Sequence, residues 1–415
     1  MAPSGPWQCR LVQHAHSPGS DVAAAHRLLT PEFGVLMVAS VLYFGGTGIL
    51  NALVPTFVVD ELGGSEATAG AVMGSIAITS LLSRPFFGRM ADRHGSRRIL
   101  LIGTLLSVLS MAIMRLGPES VATVVFSRLV LGSGMSAMFT GSTLLAVVLA
   151  PPMRQGQAAS LMLVSVHAGL GIGPILGLRI LDRWSYDRVW VVVGVLSLLS
   201  AVVVSRLGSH PGDPDADPAP LIHRAALVPG VVTFFGVFAF NGFLTFASLY
   251  GREIGVQDIA LLFTAASGTI VVVRLLAGHV PDRIGPIRAG TGALLLTFVA
   301  TLVLAFWQEP AGAFAGAILL ACGLSLQSPS FIPLAIAGVP DRERGSAMAT
   351  FTAFYDIAGA VIGPLLGLIV AGVSYQAAFL FSGMMAVVSL ALLRLLVAPT
   401  WRASQPATMP VVMRP

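Results

Sequence analysis

Three side chains stand where an apolar chain has no packing need for them. Asp356, Arg128 and His167 each lie about nine or ten residues inside a long hydrophobic stretch. At 1.5 Å per helical residue that is roughly 15 Å, close to the middle of a ~30 Å hydrocarbon layer. An ionisable group at that depth costs roughly 2.5–3.5 kcal/mol on insertion scales, so a use is the expected reason for keeping one. Asp356 is singular, because the rest of the 19 Asp and Glu residues fall in loops, tails or the ends of apolar stretches. A lone carboxyl group can bind and release a proton or a cationic solute, and its access to water and its distance from Arg128 decide whether it does. The alternative is a static ion pair that helps helices pack. His167 is a proton acceptor near neutral pH or a hydrogen-bonded structural histidine. Arg128 tunes a protonating acid, grips an anionic group or serves packing. No second acid, activated nucleophile or metal-ligand set accompanies the three, which speaks against an enzyme and predicts neither cofactor nor metal.

The elements that carry these residues follow from composition. The chain has 415 residues, 55% hydrophobic and 10% charged, with mean hydropathy +0.85. Twelve stretches long enough to cross a bilayer lie at roughly 33–58, 68–87, 98–115, 119–149, 157–181, 187–206, 226–250, 257–280, 287–307, 310–338, 346–372 and 376–397. This predicts an all-α membrane protein of twelve transmembrane helices. The sequence contains no lysine, so arginine alone carries the topology signal. Loops bearing Arg89, Arg93, Arg97, Arg98, Arg154, Arg206, Arg224, Arg283 and Arg288 alternate with loops that hold only Arg115, Arg179, Arg183, Arg188 and Arg252. The richer side is expected to be cytoplasmic, with both termini there. The net charge of +5 is then a topology signal and nucleic-acid binding is not expected. Residues 1–32 carry no short apolar core with a cleavage site and read as a cytoplasmic tail. Cys9 and Cys322 suggest neither a disulfide nor a metal site.

The polar segment SHPGDPDADPAP at 209–220 divides the chain. The expected organisation is a tail (1–32), a six-helix bundle (33–206), a cytoplasmic linker (207–225), a second bundle (226–397) and a C-terminal tail (398–415). Landmarks repeat across the linker near a 190-residue spacing: Asn51 with Asn241, Arg84 with Arg274, Gly88 with Gly278, Asp92 with Asp282, Arg93 with Arg283 and Gly95 with Gly285. Gly169, Gly173, Pro174 and Gly177 likewise match Gly359, Gly363, Pro364 and Gly367. Duplicated six-span units that rock against each other are a recurrent transporter architecture. The four-residue spacing of the glycines lets helices approach closely, and each proline removes a helical hydrogen bond.

GRMADRHGSRRIL at 88–100 resembles the loop 2–3 signature of the major facilitator superfamily, through Gly88, Ala91, Asp92, Arg93, Gly95, Arg97 and Leu100, with Met90 and Ser96 departing from it. The resemblance implies two pseudo-symmetric bundles and a monomer that moves a small solute together with protons. It also implies that the loop is a cytoplasmic latch whose Asp92 bonds across to the other half when that side is closed. The purely topogenic reading of the loop stays open. GLGIGPILG at 169–177 and FSRLVLGSG at 126–134 resemble signatures of the drug:proton antiporter branch, with Leu178 and Leu131 at departing positions. Asn51 and Pro55 match that branch's first-span motif, but its acid near Gly46 is absent, which moves the coupling role toward Asp356 or His167. Spans 1, 4, 7 and 10 are implied to line the cavity. This makes Asn51, Asn241, Phe240, Phe243, Tyr250 and Gln327 its candidate lining, although the rings suit lipid contact as well. The expectation is proton-coupled efflux of small amphiphilic compounds across a bacterial inner membrane, with symport of an organic solute and a transport-dead sensor as alternatives.

Overall fold

The computed structural model describes residues 30–404 apart from 118, 152–153, 211–221 and 341–342. Twelve helices within it, numbered spans 1 to 12, are long and apolar enough to cross a membrane: Pro31–Asp60, Glu66–His94, Ser96–Leu116, Val121–Val148, Gln155–Arg183, Tyr186–Val204, Arg224–Glu253, Ile259–Ala277, Pro286–Phe306, Pro310–Ala335, Ser346–Gly372 and Tyr375–Trp401. The even count places the start of span 1 and the end of span 12 on the same face. The tail before residue 30 and most of the expected linker lie outside the described residues. Residues 398–404, expected in the C-terminal tail, are helical, because span 12 continues through a wide turn at Leu393–Val397.

Local chemistry sets the helix ends. Pro31 begins span 1 under a Thr30 cap whose hydroxyl accepts from the Phe33 N–H, and Ser65, Asp258 and Ser374 cap spans 2, 8 and 12 in the same way. The loop 2–3 motif turns at Gly95, and its second copy at Gly285. Their φ values of +83° and +86° are ones that side-chain-bearing residues rarely adopt. The first copy is the uninterrupted end of span 2. In the second, Pro281 removes a backbone donor and the helix breaks at Gly278–His279, leaving the short helix Val280–Ile284. Span 7 breaks once, at Val237 between Gly236 and Phe238.

The halves meet unevenly along their length. Near the end of the molecule that bears the few-arginine loops, apolar side chains of both halves merge into one core, with Ile49, Leu53, Phe57 and Val72 from the first and Phe238, Phe243, Phe263 and Ile362 from the second. Toward the arginine-rich end each half keeps its own core, one around Phe33, Leu100 and Met162 and the other around Phe331, Phe351 and Leu393. The junctions are span 2 against span 11 and span 5 against span 8. At the first, a Cβ on Gly70 or Gly363 would run into the backbone of the other, and Glu66 and Ala67 lie against Gly367. Span 1 meets span 7 as well: Asp60 and Arg252 close the arginine-poor end with a two-pronged ion pair at 2.6 and 3.2 Å, and the Ser248 hydroxyl donates to the Ala52 carbonyl at 2.6 Å. The protein is therefore sealed at its arginine-poor end.

Candidate transport site

Asp356 sits ten residues into span 11, buried at 6% exposure, and it is the one buried acid among the described residues. Its partner lies in the other half. Arg84 of span 2 reaches one carboxylate oxygen with Nη2 at 2.6 Å and Nε at 2.7 Å, while Ser80, one helical turn earlier, donates to the other oxygen at 3.1 Å. The i, i+4 spacing of Ser80 and Arg84 puts both on the face of span 2 turned to span 11. The Arg84 guanidinium also lies over the Phe139 ring of span 4, 5.7 Å from its centre. The distance to Arg128, which the sequence left open, is resolved by this partner: Arg84 and not Arg128 holds the acid. Span 4 begins at Val121, so Arg128 is only about 10 Å from the arginine-poor end, in the sealed half of the molecule. There it is 2% exposed and donates from Nη2 to the Met73 sulfur at 3.2 Å, while Nε and Nη1 have no partner.

His167 belongs to span 5. Its Nδ1 lies 2.8 Å from the Leu163 carbonyl, which can only accept, so Nδ1 carries the proton of the neutral ring and Nε2 is left as the acceptor. Asn51, His167, Leu170, Phe240, Leu244, Phe263 and Ser267 enclose a cavity of about 10 Å³, roughly the room of a single water. Asn51, His167 and Phe240 are thus brought together as a lining. Other expected lining residues are not. Phe243 is fully buried, and Tyr250 donates to the Leu304 carbonyl at 2.9 Å, with Phe379 edge-on and Tyr375 tilted beside it. Gln327 donates to the Thr297 hydroxyl, and the cavity does not include Asn241.

The two glycine stripes, similar in sequence, serve different junctions. Gly169, Gly173 and Gly177 pack span 5 on Gly45, Ile49 and Leu53 of span 1, within one half. Gly363 and Gly367, with Gly359 against Ala77, pack span 11 on span 2 of the other half, and Pro364 fits against Gly74. The loop 2–3 motif lies at the arginine-rich end. Arg97 donates to the Ser205 carbonyl of its own half at 2.7 Å, whereas Asp92, Arg93, Asp282 and Arg283 are exposed and form no ion pair among the described residues. Gly88 has open space where a side chain would begin. Among the described residues Asp92 makes no bond to the other half in this arrangement, in which the opposite end of the protein is the closed one.

A duplicated twelve-helix body with a buried ion pair across its two halves has a counterpart in sequence. The family description "Major Facilitator Superfamily" matches residues 36–361 and, offset by the internal repeat, 232–411. The chain is a member of the Major Facilitator Superfamily. An uncharacterized MFS-type transporter of Salmonella typhimurium is 29% identical over 362 residues, 84% of this chain and 92% of the relative. One from Burkholderia mallei is 28% identical over 83% of this chain and 87% of the relative. Among solved structures, a mutant of the peptide transporter POT in complex with sulfate is similar with a TM-score of 0.76, at 14% identity over 92% of this chain and 98% of that one. The human organic anion transporter MFSD10 gives a TM-score of 0.70 at 18% identity, over 88% and 100% of the two chains. At those identities the likeness speaks for the fold. This superfamily member is therefore a multi-pass membrane transporter of small solutes and not an enzyme.

Arg84, the partner of Asp356, is the site residue that sequence reasoning misses. Only a turn separates it from Gly88, so it groups with the positive loop, yet two signals mark it. It recurs as Arg274 in the second half, and it stands four residues after a serine.

Proposed function

We propose that the protein is a proton-coupled exporter of small amphiphilic compounds, working by alternating access as a monomer in a bacterial inner membrane, with its arginine-rich end in the cytoplasm. The observation that carries the reading is the Asp356 carboxylate, buried and bonded across the two halves to Arg84 and Ser80. A cross-half pair of this kind holds one arrangement of the bundles while the carboxyl group is ionised. Protonation removes the charge that Arg84 holds, weakens the tie, and lets the bundles rock; release of the proton re-forms it. Proton binding is thereby converted into a change in which end is open. The small, mainly apolar cavity lined by Phe240, Phe263, Leu170 and Leu244, with Asn51, His167 and Ser267 as its polar groups, supports an amphiphilic solute over a sugar, which needs many hydrogen-bonding side chains. His167, with Nε2 left as an acceptor, is a second proton-binding group, and it lines that cavity.

The test is a set of proteoliposomes carrying a pH-sensitive dye, challenged with a panel of amphiphilic compounds. Exchange predicts protons moving opposite to the solute. Movement in the same direction replaces export with symport, solute flux without proton movement removes the coupling, and no flux of any compound leaves a sensor.

A further inference from the structure

The internal repeat makes the two bundle junctions comparable residue by residue. Span 2 and span 8 are equivalents, and Arg84 and Arg274 occupy the same place in them, 190 residues apart. Arg84 faces span 11 and is neutralised by Asp356. One repeat back from Asp356, span 5 carries Val166 with His167 beside it, so an imidazole stands within charge range of Arg274 where its twin has a bonded carboxylate. Arg274 makes no hydrogen bond or ion pair among the described residues, and its Nε is fully buried without a partner. The Tyr355 phenol, next to Asp356 on span 11 and hydrogen-bonded to Ser328 of span 10 at 3.2 Å, is the other polar group in charge-interaction range of the guanidinium. Arg274 also lies on the working face of its helix. Phe263, Ser267, Ile270 and Arg274 follow the i, i+4, i+7, i+11 stripe, and the first two already line the Asn51–His167 cavity. Among the described residues the spans thus hold the buried guanidinium of Arg128 and the half-buried ones of Arg84 and Arg274 against one buried carboxylate, that of Asp356. Arg274 is half-buried, and a buried guanidinium donor without a partner, as its Nε is, is costly unless something charged completes it.

We propose that Arg274 is the docking point for an oxyanion, a carboxylate or phosphate group, on the transported solute, which takes in the second junction the place that Asp356 takes in the first. The planar fork of N–H donors suits such a group in a two-pronged fashion, and the Tyr355 hydroxyl can supply a further donor. The cavity rings of Phe263 and Phe240 then meet the apolar remainder, so the solute class is a small amphiphilic anion. The inference rests on the transporter reading and narrows its substrate class.

The experiment measures binding with no gradient present, so that it stands or falls apart from proton coupling. Purified protein in neutral detergent is titrated with benzoate, phenyl phosphate, benzamide and benzylamine, following tryptophan fluorescence and thermal protection. Benzoate or phenyl phosphate is expected to bind at least tenfold more tightly than benzamide and benzylamine. Arg274→Gln should weaken the anion by about 10- to 100-fold, the worth of a charge-assisted contact, and leave the neutral probe unchanged. Arg274→Lys should restore part of the affinity. Because Arg274→Gln could misfold, the charge preference of the wild type is an independent arm. Equal binding of the four probes, or undiminished anion binding by a folded Arg274→Gln protein, overturns the proposal. Thermal protection by phosphatidylglycerol in nanodiscs with none from either soluble anion assigns the guanidinium to a lipid headgroup and overturns it too.

Discussion

The tie between Arg84 and Asp356 can be weighed by a double-mutant cycle of Arg84→Gln, Asp356→Asn and the two combined. Two N–H···O contacts of 2.6 and 2.7 Å converge on one carboxylate oxygen, and the side chains are 14% and 7% exposed. At ~3 Å and an effective dielectric of about 20 the gross attraction is about 5 kcal/mol. Desolvation of both ions offsets much of this, so the pair adds little over an uncharged filling, yet removing one partner strands the other charge at a cost of about 3–5 kcal/mol. Some water reaches Arg84, and the amide oxygen introduced by Asp356→Asn would still accept a hydrogen bond, which reduces the expected cost to about 2–3 kcal/mol for either single change. For a chain of this size that is a fall of about 2–4 °C in the unfolding midpoint. The double mutant, with no stranded charge, should melt near the better single mutant, a coupling of about 2 kcal/mol. The assay is thermal unfolding of the purified protein in one detergent at neutral pH, under identical scan conditions. Additive losses, with the double mutant falling by the sum of the singles, would refute the claim that these groups act as a unit.

Further expectations follow from the junctions. Asp60→Asn removes an ion pair whose side chains are 45% and 39% exposed on the Arg252 and Asp60 sides, so stability should change by under about 1 kcal/mol. The same change should favour opening of the arginine-poor end, and a Ser248→Cys reporter should react about 2- to 5-fold faster with an impermeant maleimide when Asp60→Asn is added. Gly363→Val should leave a folded protein that turns over poorly, because it blocks only the approach of span 11 to span 2, whereas Gly173→Val strikes span 1 in its own half and should lower stability by about 1–3 kcal/mol or more. Retained turnover in Gly363→Val would refute the sealed junction as a working state. Asp92→Asn should slow turnover without weakening solute binding, and weaker binding at normal turnover would count against a latch at loop 2–3.

Sequence carries the fold well because each span has to satisfy its own backbone within ~20 apolar residues, so the twelve stretches are visible one by one. The repeat is visible for a related reason: turns and close approaches demand particular residues, and Gly95 and Gly285 share one such conformation. Pairings across the halves depend on helix rotation, which composition does not encode. Depth counted along a span puts Arg128 and Asp356 at one level, but the span 4 boundary and its direction set Arg128 nearer the sealed end, while Arg84, one turn from a cationic loop, swings inward. Rotation also explains why Phe240 reaches the cavity whereas Phe243 and Tyr250, about 60° and 80° further round the same helix, turn into the core. The two glycine stripes show the same limit, since one pattern serves a contact within a half and its copy a contact between halves.

The most direct test of the account follows intraliposomal pH and solute together for wild type and Asp356→Asn, at fixed orientation and with a solute gradient as the only driving force. Wild type should drive protons against their gradient as the solute runs down its own. Asp356→Asn, equally inserted and equally able to bind, should move no protons and show solute exchange that no longer depends on external pH. Undiminished solute-driven proton movement in Asp356→Asn would contradict the assignment of coupling to this carboxylate.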